Sequence, residues 1–179
     1  ILIVMNVNER NKLFSQKIDL DREDLWPKLV EFENDLIAFK FNLPIEDELP
    51  LQPGIITVRG PRQYGKSTWL ERSLRDTLLD FGPGSAFFLN GDYITSMDDF
   101  EDNILNLSES YNPKSKVKRL FIDEVTSIVG WEKVVKRLID RGELKDVLLV
   151  TTGSSAMDLR RGAERLPGRK GKLDRSHYI

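Results

Sequence analysis

Apolar positions in this chain come in two textures that alternate. Continuous runs at Ile55–Arg59, Ser85–Asn90, Val117–Ile122 and Val147–Thr152 are short and rich in β-branched or aromatic residues. Such runs read as strands buried on both faces. Between them the apolar residues recur every three or four positions. Trp69, Leu70, Ser73, Leu74, Thr77 and Leu78 predict a helix that runs to about Phe81, where Gly82-Pro83-Gly84 stops it. Phe100, Ile104, Leu105 and Leu107 predict a shorter helix from Asp98 to about Ser110. Trp131, Val134, Val135, Leu138 and Ile139 predict a third, ended by Asp140-Arg141-Gly142. Strand and helix in strict alternation point to an α/β domain with a parallel sheet.

Ahead of this core the pattern is less regular. Ile1–Met5 is apolar, and Asn6–Lys12 is polar and expected to be exposed. Asp21-Arg22-Glu23-Asp24 reads as an acidic helix start, and Leu25, Leu29, Phe32, Leu36 and Phe39 follow at helical spacing. These predict one helix over about residues 21–40, with Pro27 tolerated in its first turn. Its broad stripe needs a partner, either the core itself or a second subunit. Residues 42–54 carry three prolines and form a linker. The expected division is therefore an N-terminal extension at 1–50 and a core at 51–179.

Composition changes this picture little. The 179 residues are enough for one ordinary domain, and net charge −2 excludes a chain-wide basic field for nucleic acid or membrane. The absence of cysteine removes disulfides and thiolate metal sites and suits the cytoplasm. A single histidine, His177, cannot form a cluster. Ile1–Met5 is too short to span a membrane and lacks the features of a signal peptide. Since the first residue is not Met, the sequence reads as a piece of a longer chain.

The chemistry concentrates where the strands end. Gly60-Pro61-Arg62-Gln63-Tyr64-Gly65-Lys66-Ser67-Thr68 follows the first strand and opens a helix. This is the G-x-x-x-x-G-K-S pattern, whose backbone N–H groups cradle phosphates at a helix N-terminus. Lys66 is the candidate for the β- and γ-phosphates, and Ser67 for Mg²⁺. About sixty residues on, Leu120-Phe121-Ile122 ends in Asp123-Glu124, the Walker B pattern. Asp123 is the candidate metal ligand and Glu124 the candidate base for an attacking water. Thr152 and Ser154, at the tip of the last strand, are both candidates to sense a γ-phosphate, and the sequence does not choose between them. Asp92, at the end of the second strand, is either a site residue or a turn cap. From Asp158 the chain turns basic, and Arg169, with Arg165 as fallback, is a candidate arginine finger.

In order, the P-loop, Leu89-Asn90-Gly91-Asp92, Leu120–Val125, Gly130-Trp131-Glu132-Lys133, Thr152-Gly153-Ser154-Ser155 and Leu166-Pro167-Gly168-Arg169 resemble a known family. It is the AAA+ superfamily of P-loop ATPases, in the predicted-ATPase branch of archaea and bacteria allied to STAND signalling NTPases. The resemblance covers about residues 50–170. It implies a three-layer sandwich with strand order 5-1-4-3-2, ATP rather than GTP, and Mg²⁺. It also implies a homo-oligomer, with Arg169 meeting the neighbour's nucleotide. The fifth strand, the lid and a C-terminal domain that meets DNA or protein are expected to be missing from this piece. No Asn-Lys-x-Asp guanine-reading motif occurs, in agreement. The function expected is an ATPase switch or motor. The alternatives are a nucleotide-gated binding module with little turnover and a small-molecule kinase, and the Asp-Glu pair favours hydrolysis over the kinase.

Overall fold

The computed structural model describes residues 5–34, 49–61, 63–154 and 177–178. Four strands, β1 (Gly54–Arg59), β2 (Ala86–Asn90), β3 (Arg119–Asp123) and β4 (Leu148–Gly153), pair in parallel in the spatial order β2-β3-β4-β1. Two residues more, β5 (His177–Tyr178), pair in parallel with Thr57 and Val58 on the free edge of β1. Read from that edge the order is 5-1-4-3-2, as expected. The fifth place is filled within this chain, where it was expected to be missing, because β1 otherwise carries unpaired backbone groups along its edge.

The helices connecting the strands are α3 (Lys66–Phe81), α4 (Met97–Ser110) and α5 (Trp131–Asp140). Each starts and ends within a residue or two of its predicted place. Leu70, Leu74 and Leu78 line one face of α3 and are buried with Phe87, Phe100 and Phe121 in a single core. Trp131 is buried in the same core. Ser96 caps α4 by accepting the Asp99 N–H at 3.1 Å.

The N-terminal region departs from expectation twice. Residues 6–12 are not an exposed polar stretch. They open helix α1 (Val7–Phe14), started by a capping box in which Asn6 and Glu9 each accept the other's backbone N–H. Arg10, Asn11 and Phe14 lie along its buried face. Polar residues on the inner face disguised an amphipathic helix.

Nor does one helix run from residue 21. A single 3₁₀ turn, Glu23–Leu25, is followed by Trp26 at φ −130°, ψ 58°, and helix α2 begins at Pro27 and is described to Asn34. The proline ring disfavours helical geometry at the residue before it, so Trp26 breaks the continuous helix. Residues 35–40 of the expected helix lie outside the described residues. The break sends Leu25 and Trp26 into the core together with Leu29, and the Trp26 ring stacks on Phe14 at 5.5 Å. Of the two partners considered for this stripe, the described part takes the core.

The end of the linker is also fixed from inside. Arg119, at the start of β3, donates to the Leu49 carbonyl at 2.9 Å and the Thr77 hydroxyl at 2.8 Å while lying over the Phe81 ring.

Candidate nucleotide site

Every candidate among the described residues lies at or just beyond the C-terminal end of a strand, where open parallel sheets bind ligands. β1 ends at Arg59, and α3 begins seven residues later at Lys66. The loop between them needs unusual backbone. Gly65 sits at φ 75° and Gln63, which is not glycine, at φ 64°. Arg62 lies outside the described residues. Pro61, Gln63 and Tyr64 are exposed around the turn. The Lys66 ammonium folds back across the loop and donates to the Gly60 carbonyl at 2.8 Å and the Pro61 carbonyl at 2.7 Å. Ser67 and Thr68 follow, half-buried, in the first turn of α3.

The carboxylates come from the neighbouring part of the sheet. Ile122 of β3 pairs with Thr151 of β4, so the next residues, Asp123 and Thr152, lie side by side. The Thr152 hydroxyl donates to Asp123 Oδ1 at 2.5 Å and accepts the Glu124 N–H at 3.0 Å. Glu124 itself is in the left-handed region, φ 49°, ψ 48°. Its Oε1 accepts from the Ser154 hydroxyl at 2.5 Å, the Ser154 N–H at 2.8 Å and the Thr126 hydroxyl at 3.0 Å. Burial pushes this carboxyl up. The Ser154 hydroxyl and N–H, the Thr126 hydroxyl and the Lys66 charge outweigh burial and leave it below the ordinary glutamate value. Glu124 is thus ionised at neutral pH and tied to β4.

The two hydroxyls between which the sequence did not choose have separate partners. Thr152 is bonded to Asp123 and the Glu124 backbone, and Ser154 to the Glu124 side chain. Arg165 and Arg169 lie outside the described residues. Asp92 accepts from the Ser127 hydroxyl at 2.6 Å, which joins the turn after β2 to the turn after β3. Its described contact is that of a turn latch. Two contributors escaped sequence reasoning. Thr126 had no signal beyond its place two residues after Glu124. Gly91 had one, a glycine right after a strand: a Cβ there would lie 2.2 Å from the Glu124 carbonyl oxygen. That close approach seats the Glu124 backbone against the end of β2.

The donor set suits a hard cation bound with a triphosphate. Ser67 supplies a hydroxyl and Asp123 a carboxylate, both oxygen donors. Among the described residues, no three His, Cys, Asp or Glu side chains form a cage. Mg²⁺ in triphosphate sites takes only one or two protein ligands and keeps its waters, so these donors fit it.

The profile of a family described as an AAA domain matches residues 52–176, well over half of the chain. The chain belongs to the AAA domain family. It is an AAA-type P-loop NTPase domain, a class of nucleotide-binding and nucleotide-hydrolysing modules. A search of curated proteins returned no match. The family match begins at residue 52, so α1 and α2 lie outside it. Among the described residues no helix is long and apolar enough to cross a membrane.

Proposed function

We propose that this AAA domain binds ATP with Mg²⁺ and hydrolyses it as a nucleotide-driven switch. The supporting observation is the opposition of two sets of groups at the strand ends. A lysine-bearing loop lies over β1 and α3, and the Asp-Glu pair at the end of β3 is tied to the tip of the adjacent strand, β4. In this reading Lys66 leaves the Gly60 and Pro61 carbonyls for the β- and γ-phosphates, and the loop N–H groups hold the remaining oxygens. Ser67 and Asp123 would hold Mg²⁺, which would supply neutralisation of the triphosphate charge. Glu124 orients a water in line with the γ-phosphorus and takes its proton, and the β–γ bridging oxygen leaves with ADP. The bonds from Ser154 and Thr126 to Glu124 Oε1 hold the carboxylate against β4 while its other oxygen faces the water, which makes Ser154 a restraint on turnover.

That restraint favours a second reading, a nucleotide-gated binding module with low turnover. The order of motifs supports an alliance with STAND NTPases. Homo-oligomerisation, an Arg169 contribution in trans, and a DNA or protein partner reached through further sequence belong to the same reading. So does the division into an extension at 1–50 and a core at 51–179.

Thermal melts with and without Mg-ATP, together with an ATPase assay, test the proposal on the wild type, Lys66→Ala and Glu124→Gln. ATP is expected to raise the wild-type midpoint and leave that of Lys66→Ala unchanged. Glu124→Gln should show the wild-type rise and lose about 10²–10⁴ in rate. Equal rises in wild type and Lys66→Ala would remove the P-loop assignment. Equal and low turnover in wild type and Glu124→Gln would establish the gated binding module.

A further inference from the structure

The segment that lies outside the family match reaches the metal side of this site. Ser67 and Glu71 are four residues apart on α3, so their side chains leave the same face of the helix, one turn apart. Glu71 is 2% exposed and divides its two oxygens between two N-terminal helices. Oε1 accepts from Arg10 of α1 at 2.7 Å. Oε2 accepts the backbone N–H of Lys28 at 2.7 Å and of Leu29 at 3.1 Å. A carboxylate on the P-loop helix thereby caps the start of α2. It also sets Lys28 one turn along from the hydroxyl assigned to Mg²⁺.

The Lys28 side chain is not consumed by this anchor, because the backbone makes it. The side chain is 52% exposed and pairs with Glu31, three residues on, at 2.8 Å. Exposed i,i+3 pairs of this kind are weak and exchange readily. The Glu31 contact does most to hold the ammonium above the ordinary lysine value. Burial opposes it, and the charges of Glu31, Asp123 and Glu71 add to it. Asp123 is the Walker B carboxylate, so Lys28 already lies within the field of the site.

We infer that Lys28 is a nucleotide-binding residue that exchanges Glu31 for the γ-phosphate of ATP. This inference rests on the P-loop reading above. A second cation is chemically apt there, since Mg²⁺ and Lys66 offset only part of the triphosphate charge and Asp123 adds to it. ADP lacks the group that Lys28 meets, so Lys28 makes the site prefer ATP over ADP. It also makes the N-terminal helices sense which nucleotide is bound.

The test is calorimetric titration of the full chain with a slowly hydrolysed ATP analogue and with ADP, in Mg²⁺. Lys28→Ala keeps the N–H bonds to Glu71, and its melting midpoint without nucleotide should match the wild type. Its affinity for the ATP analogue should fall about tenfold, as loss of one charge-assisted contact implies, and its affinity for ADP less than twofold. Lys28→Arg should recover part of the loss. Lys66→Ala runs alongside. If Lys66→Ala loses nucleotide while Lys28→Ala binds both ligands as the wild type does, Lys28 has no such role and the P-loop reading stands. Equal weakening of both ligands in Lys28→Ala also overturns the inference. If Lys66→Ala binds normally, both ideas fall together.

Discussion

The N-terminal clamp and the strand-end site use the same interaction and differ in what surrounds it. In each, a carboxylate takes several short hydrogen bonds from a neighbouring element: Glu71 from Arg10, Lys28 and Leu29, and Glu124 from Ser154 and Thr126. Glu71 and Arg10 are 2% and 4% exposed, whereas Glu124 is only half-buried. Burial lowers the Arg10 pKa and raises that of Glu71 more than their mutual attraction restores either. The buried pair is therefore costly to break and gives little net stability relative to an apolar pair, but it specifies one arrangement. At Glu124 the hydrogen bonds outweigh burial, and water can replace them. The clamp is fixed and the site is exchangeable, because one has lost contact with solvent and the other has kept it.

The strongest way to break this contrast is at Glu71. Glu71→Ala leaves a buried Arg10 without its carboxylate and uncaps α2. A loss of about 3–5 kcal/mol in urea unfolding is expected. Glu71→Gln keeps an acceptor for the α2 N–H groups and should lose less. If Glu71→Ala unfolds within about 0.5 kcal/mol of the wild type, the size of an ordinary surface substitution, the clamp is no more fixed than the site.

A smaller effect is expected where α1 meets the sheet edge. Asn11 is 4% exposed, and its side-chain amide pairs with both backbone groups of Phe88, accepting the N–H at 2.8 Å and donating to the carbonyl at 2.7 Å. A carboxamide thus takes the place of a further strand beside β2, the edge of the order. Asn11→Ala leaves both groups buried and unpaired and should cost about 1–3 kcal/mol. Faster hydrogen exchange at the Phe88 amide would locate the damage. Unchanged exchange at Phe88 would show that the edge does not depend on α1.

What the sequence shows and hides follows the same division. The candidate site was legible as a motif, because a phosphate cradle calls for fixed residue types at fixed spacing: Gly60, Gly65, Lys66 and Ser67 in one loop, Asp123-Glu124 at one strand end. The sheet was legible because parallel strands are apolar on both faces, which left Ile55–Val58 and Leu120–Ile122 as unmistakable runs. The clamp was not. Arg10 and Asn11 look like surface residues in a polar stretch, and their partners, Glu71 and Phe88, lie 61 and 77 residues away. No local pattern connects them. The division of labour between Thr152 and Ser154 depended on register across β3 and β4, which periodicity cannot supply. Lys28 carries no motif of its own, and it lies on a helix whose start the sequence placed six residues too early, ahead of the proline that in fact begins it.

The smallest expected effect is at the exchangeable end. Ser154→Ala removes one of the three bonds to Glu124 Oε1 and keeps the backbone N–H bond, so at neutral pH it should cost no more than about 1.5 kcal/mol. Its signature is in the pH dependence. The folded-state pKa of Glu124 lies below the ordinary 4.5, so its contribution to stability is complete above that value and disappears as pH falls through the depressed one. Without the hydroxyl, the folded value moves up toward the one that burial favours. The contribution then becomes smaller, and its loss, which still begins as pH falls toward the ordinary value, is complete at a higher pH. Urea midpoints of wild type and Ser154→Ala, measured from about pH 3 to pH 7, should therefore differ most above the glutamate range and converge in acid. Two parallel curves would mean that the serine stabilises the fold without holding the carboxylate. The restraint on Glu124 would then have to reside in Thr126 and the Ser154 backbone, and the contrast with the clamp would rest on those two contacts.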